Sequence, residues 1–136
     1  MKIYVAASWG RWDEAHKLAD MLECLGWVVT SRWLLPQEPN SHQARAFNDV
    51  EDILDADVLV RISDKEIMEF PLIPAKFASG ARMFETGYAY ANGKSIVVLG
   101  GYQNTFDYLP GITVVENEEQ LIKELYKIQE DFCNGL

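Results

Sequence analysis

Residues 79–100, SGARMFETGYAYANGKSIVVLG, read as a loop, a helix, a turn and a strand in direct succession. At about 100° per residue, Ala81, Phe84, Gly87, Tyr88 and Ala91 fall on one stripe, which helical periodicity assigns to the core. Glu85 sits at the rim of that stripe, while Arg82 and Thr86 point away from it. Ser79 suits an N-cap, and Gly93 suits the residue that ends the helix, so the apolar run from Ser95 to Leu99 follows as a strand. A carboxylate at a helix border is ordinarily a solvated or ion-paired group; whether Glu85 is more depends on what the remaining chain brings to it.

Working outward, residues 3–7 form an apolar strand, and residues 13–25 a helix with Ala15, Leu18, Met21, Leu22 and Leu25 on one face. Gly26 ends that helix, and residues 27–31 supply a second strand. A loop with Pro36 and Pro39 leads to a helix over 43–56, with Phe47, Val50, Ile53 and Leu54 in helical period, and then to a third strand, VLVRI. After the fourth strand come a short fifth, residues 112–115, and a closing helix over 117–132, whose acids Glu116, Glu118 and Glu119 suit a helix N-terminus. Each strand is continuously apolar and alternates with helices, which indicates a parallel sheet covered on both faces. The expectation is one α/β domain over 1–136: a flavodoxin-like three-layer sandwich with five strands in the order 2-1-3-4-5.

The chain has 136 residues, 49% hydrophobic and 24% charged, with a formal charge of −9. That charge argues against a nucleic-acid polymer, which draws on clustered Lys and Arg. No apolar run approaches the ~20 residues that span a bilayer, and the first residues lack a signal peptide's apolar core, so no membrane partner is expected. Cys24 and Cys133 are far apart and belong to no metal-binding spacing, which fits a reduced, cytoplasmic protein with Cys24 as a small core side chain. Gly93–Lys94–Ser95 lacks the Walker glycine, no GxGxxG follows the first strand, and residues 49–57 lack the central glycine of an EF-hand loop. With only two histidines in the chain, neither a metal nor another cofactor is expected.

In such a sheet, ligands bind beyond the carboxyl ends of the strands where strand order reverses, here between strands 1 and 3. The walls are residues 8–12 and residues 63–80, and the helix N-termini face the same edge. Asp52 and Asp55 fall on the far side of their helix, whereas Asp49 lies at the border near Ile53 and is able to point into the crevice. Two carboxylates reaching one cleft from different helices is the arrangement of glycosidic chemistry. Trp9, Trp12, Trp33 and Tyr4 cluster near the strand ends, where rings can stack a planar base or serve as core and lid residues. The long connection over 63–77 reads as a lid or as an interface segment.

The segments IYVAAS, FNDVEDILDADVLV and FETGYAYANGKSIVVLG, with NTF after strand 4, resemble the nucleoside 2-deoxyribosyltransferase superfamily, which includes deoxynucleoside 5′-monophosphate N-glycosidases. The resemblance implies that Glu85 attacks the anomeric carbon, that Asp49 engages the base and its proton, and that Tyr4 positions the nucleophile. It implies that Asn104 corresponds to a residue that completes a neighbouring subunit's site, and hence a homo-oligomer, a dimer or larger. At position 79, where the transferases carry an acid for the sugar 5′-hydroxyl, Ser79 is similar to the serine with which the monophosphate glycosidases contact the phosphate. Ser8, Gly10 and Arg11 resemble a phosphate cradle, with Trp9 and Gly80 beside it. The implied partners are a small deoxynucleoside or deoxynucleotide and, for transfer, a free nucleobase. A nucleotide-binding module without turnover is the alternative from another class, and a flavodoxin-like electron carrier a third.

Overall fold

Strand β1 (Lys2–Ala6) is wholly buried from Ile3 onward, as a strand covered on both faces requires. The computed structural model of the chain describes residues 1–36, 41–65 and 80–135. β1 pairs in parallel with β2 (Val28–Val29) and β3 (Val58–Ile62). β4 (Ser95–Leu99) joins β3, and β5 (Ile112–Val115) joins β4, giving five parallel strands in the order 2-1-3-4-5. The chain therefore has the expected flavodoxin-like α/β fold.

Helices α1 (Trp12–Cys24) and α4 (Glu118–Cys133) cover one face of the sheet, where Leu18, Leu22, Leu121 and Leu125 pack with Ile3, Val5, Val58 and Val97. Helices α2 (His42–Asp55) and α3 (Ala81–Ala91) cover the other, where Ile53 and Ala89 pack with Tyr4, Ala6, Leu59, Ile96 and Val98. Ser41 caps α2 by accepting from Ala44 N at 3.1 Å, and Asn117 caps α4 by accepting from Gln120 N at 2.9 Å. Gly26 and Gly93, at φ 95° and 72°, take the left-handed turns that follow α1 and α3.

The structure corrects several expectations. β2 is shorter than residues 27–31, because Ser31 Oγ takes the Val5 N–H at 2.7 Å in place of a backbone carbonyl. Cys24 is exposed, on the side of α1 away from Ala15 and the sheet. Asp52 is buried rather than turned outward, because Arg32 reaches it from the segment after β2: the Arg32 backbone N–H and Nε donate to its two oxygens at 2.9 and 2.8 Å.

The largest correction concerns α3. Its buried residues are Arg82, Thr86 and Ala89, whereas Phe84 is 63% exposed and Ala81, Gly87 and Ala91 face solvent. Phe84 stacks on half-buried Tyr88 with ring centroids 6.0 Å apart, and Phe47 of neighbouring α2 is 64% exposed. The inward side of α3 instead meets buried charges, Thr86 facing Arg61 of β3 and Arg82 facing Asp64. No helix of the described residues is long and apolar enough to cross a membrane. Ser79, Pro39 and most of the 63–77 connection lie outside the described residues.

Fully buried Leu22 and the Asn117 cap separate core from local contributions. Leu22→Ala is expected to lower unfolding free energy by about 2–5 kcal/mol and Asn117→Ala by about 1 kcal/mol, read by urea denaturation. Equal losses in the two variants would contradict this assignment of the core.

Candidate functional site

Tyr4 stands in the middle of β1 on the sheet face beneath α2 and α3, with none of its surface exposed. Its Oη–H donates to Glu85 Oε2 of α3. Burial, joined by the negative charges of Glu85 and Asp49, pushes the Tyr4 phenol far above its ordinary range, so it stays a proton donor at any working pH. The Glu85 carboxyl is raised from 4.5 to about 7, chiefly by burial; the Tyr4 hydrogen bond lowers it and the charge of Asp49 raises it further. Asp49, half-buried on α2, is thus close enough to act on both members of the pair. The structure brings Tyr4, Glu85 and Asp49 together from β1, α3 and α2.

This trio is suited to a nucleophile with a companion acid. A buried carboxyl titrating near neutrality keeps an ionised fraction that a fixed phenol orients, and a second carboxyl nearby cannot easily share the same charge state. Asp49 is carried by a well-anchored helix, since Asp52 one turn on is bound by Arg32 and the Asp52 carbonyl accepts from Thr30 Oγ1 at 2.8 Å.

The turn after β1 is less open than a phosphate cradle implies. Ser8 and Arg11 are buried: Arg11 Nε donates to Asp64 Oδ1 at 2.6 Å, its Nη1 donates to Glu14, and Ser8 Oγ lies 3.5 Å from the same Asp64 oxygen. Trp9 and Gly10 are the exposed members. Trp9 lies 6.4 Å from Trp33, ring to ring, and lines an open recess of about 430 Å³ with Trp12, Leu35 and Pro36. Gly80 precedes α3 as an N-cap without a side chain to close the helix end. Asn104 is engaged within its own chain: Oδ1 accepts from Phe106 N at 2.9 Å and Nδ2 lies 3.3 Å from Met83 Sδ on α3. Among the described residues, no group of three His, Cys, Asp or Glu is placed to hold a metal ion.

Sequence reasoning missed the charges under the site. Asp64, fully buried, lies between Arg11 and Arg82, whose Nη2 is 2.7 Å from Asp64 Oδ2. Arg61 of β3 is 1% exposed, and its Nη2 donates to both Asp107 oxygens at 2.7 Å. The signal was available, because an arginine inside the apolar run VLVRI demands a buried partner.

The two influences on Glu85 have opposite signs and are separable. In a carboxyl-carbon NMR titration, Tyr4→Phe is expected to move the Glu85 midpoint above about 7 and Asp49→Asn to move it below. Shifts in the same direction would contradict the geometry. Because the folded midpoint lies above the unfolded 4.5, the stability linked to Glu85 is complete below pH 4.5 and is lost as pH rises through about 7. Glu85→Gln is therefore expected to stabilise the fold at pH 8 by on the order of 3 kcal/mol, with no gain at pH 4; a loss at pH 8 would contradict it.

By sequence, the chain matches no protein-family model and no curated protein. By structure, it is similar to the Clostridium botulinum CMP N-glycosidase BcmB, at 16% identity and a TM-score of 0.58, over 92% of this chain and 98% of that one. At that identity the likeness is one of fold.

Proposed function

We propose that this chain cleaves the N-glycosidic bond of a 2′-deoxynucleoside or its 5′-monophosphate. Glu85 attacks the anomeric carbon, the bond from that carbon to the base nitrogen breaks, and Asp49 supplies the proton that the departing base takes. The covalent glycosyl-Glu85 intermediate is then attacked by the nitrogen of another base, or by water, which gives its proton back to Asp49 as Glu85 leaves, so the anomeric configuration is retained. Tyr4 holds the attacking oxygen in line. The observation that carries this reading is the buried contact of Tyr4 with Glu85 beside Asp49.

Transfer to a base is the first reading and hydrolysis of a 5′-monophosphate the second. The second is favoured by the serine that the sequence carries at position 79 and by the exposed Gly10 and Gly80, while Ser8 and Arg11 reach a phosphate only by exchanging their contacts with Asp64; cleavage of a nucleotide's N-glycosidic bond is also the activity named for the structurally similar protein. Trp9 is assigned to the base. The exposed Phe47 and Phe84 support association with a second copy, and Asn104 is assigned to completing that copy's site.

The test is a chromatographic screen of deoxynucleosides, their 5′-monophosphates and the corresponding ribonucleotides, with and without a free base. Base exchange marks the transferase, while free base with sugar phosphate marks the hydrolase. Glu85→Ala is expected to lose at least ~10³-fold in either assay, and full turnover in that variant would overturn the mechanism.

A further inference from the structure

Helix α3 offers the sheet two faces. At about 100° per residue, Ala81, Phe84, Gly87, Tyr88 and Ala91 centre on one side, and Arg82, Thr86 and Ala89 lie roughly opposite, with Glu85 on the rim between them. Apolar burial alone would turn the first set inward and carry Glu85 away from Tyr4. The observed rotation does the reverse.

What opposes apolar burial is visible under the helix. Arg61 projects from β3 on the same sheet face as Tyr4: it is paired in register with Ala6, and Leu59 with Tyr4. A guanidinium cannot shed its charge by losing a proton, so at 1% exposure it needs fixed partners. Asp107 supplies the charge, with both oxygens 2.7 Å from Arg61 Nη2, and is itself held by the Gln103 and Asn104 N–H groups at 2.8 and 3.3 Å. The Arg61 Nη1 group then reaches Thr86 Oγ1 on α3 at 3.4 Å. The Thr86 hydroxyl donates to the Arg82 carbonyl at 2.6 Å, which leaves its oxygen free to accept from Arg61. One turn toward the N-terminus, Arg82 meets Asp64, and Asn104 of the Asp107 turn touches Met83. The contacts of Thr86, Arg82 and Met83 all bear on α3 within a few residues of Glu85.

We propose that Arg61 is a positioning residue of this site: held by Asp107 and bonded to Thr86, it sets the rotation of α3 at which Glu85 meets Tyr4. The helix has an apolar face competing for the same sheet, and the guanidinium decides between the two faces. Asp107 acts through Arg61, and Thr86 is the point at which the helix is gripped. The kinetic consequence rests on the glycosyl-transfer reading, whereas the rotation itself does not.

Removing one charge alone would strand the other, so the pair is neutralised together while Asp107's capping oxygen is kept, as Arg61→Met with Asp107→Asn. Circular dichroism and thermal melting establish that this variant is folded. Thr86→Val, which keeps the volume and removes the hydroxyl, provides the same test if the double variant does not fold. The decisive readout is the Glu85 carboxyl titration with and without Tyr4→Phe. In the parent protein Tyr4→Phe shifts the midpoint; in the uncoupled variants it is expected to shift nothing, because the contact has already gone. An undiminished response to Tyr4→Phe in a folded variant would overturn the proposal. Where turnover is measured, kcat should fall at least tenfold with KM within about twofold, and an unchanged kcat would equally overturn it. If the parent shows no turnover at all, the enzymatic reading fails, and the titration still decides the role of Arg61.

Discussion

A single hydrogen bond, from a phenol enclosed in the sheet to a carboxyl at the edge of a helix, organises this molecule. Tyr4 has no solvent to turn to, so its hydroxyl must find a protein acceptor, and Glu85 is the acceptor it finds. The same burial that enforces the contact makes the charge on Glu85 costly and brings its titration to about 7. A group held in that state is destabilised at neutral pH by its own surroundings, which is a common condition of reactive carboxyls and an uncommon one for structural ones.

Keeping the carboxyl there needs a helix set at an unobvious rotation. Under α3, the ends of β1 and β3 and the turn before β5 contribute Arg11, Arg61, Asp64 and Asp107, and α3 contributes Arg82 and Thr86. Burial lowers the Arg82 guanidinium most, Asp64 opposes this, and Arg61 and Arg11 add to it, so Arg82 lies within the field of both other arginines. Breaking one partner from such a cluster is expensive, which makes the arrangement a stiff support even where the pairs add little net stability. The cost is an aromatic helix face left outside, with Phe84 stacked on Tyr88.

Much of this was legible in the amino-acid order. Continuous apolar strands separated by helical periods gave the five parallel strands, and the glycines at 26 and 93 marked where helices end. The angles put Glu85 and Asp49 at helix borders, but the border read for Glu85 was that of the face that turns to solvent, and the grouping of both acids with Tyr4 came from the family resemblance. The rotation of α3, the partner of Asp52 and the attachment of Arg11 were not, because each depends on pairing between charges remote in sequence, which periodicity does not register. An arginine in a strand and an aspartate just after it carried the hint; their partners, on α3 and on the turns after β1 and β4, became apparent only in three dimensions.

The most direct measurement of the proposed chemistry is the mass of the quenched protein. Incubated with a nucleoside 5′-monophosphate whose sugar bears a 2-fluoro substituent, which slows breakdown of a glycosyl-protein adduct, the protein should gain one fluorinated sugar phosphate on the peptide that contains Glu85. Product formation with the sugar on another residue, or with no covalent adduct on any peptide, would contradict the account.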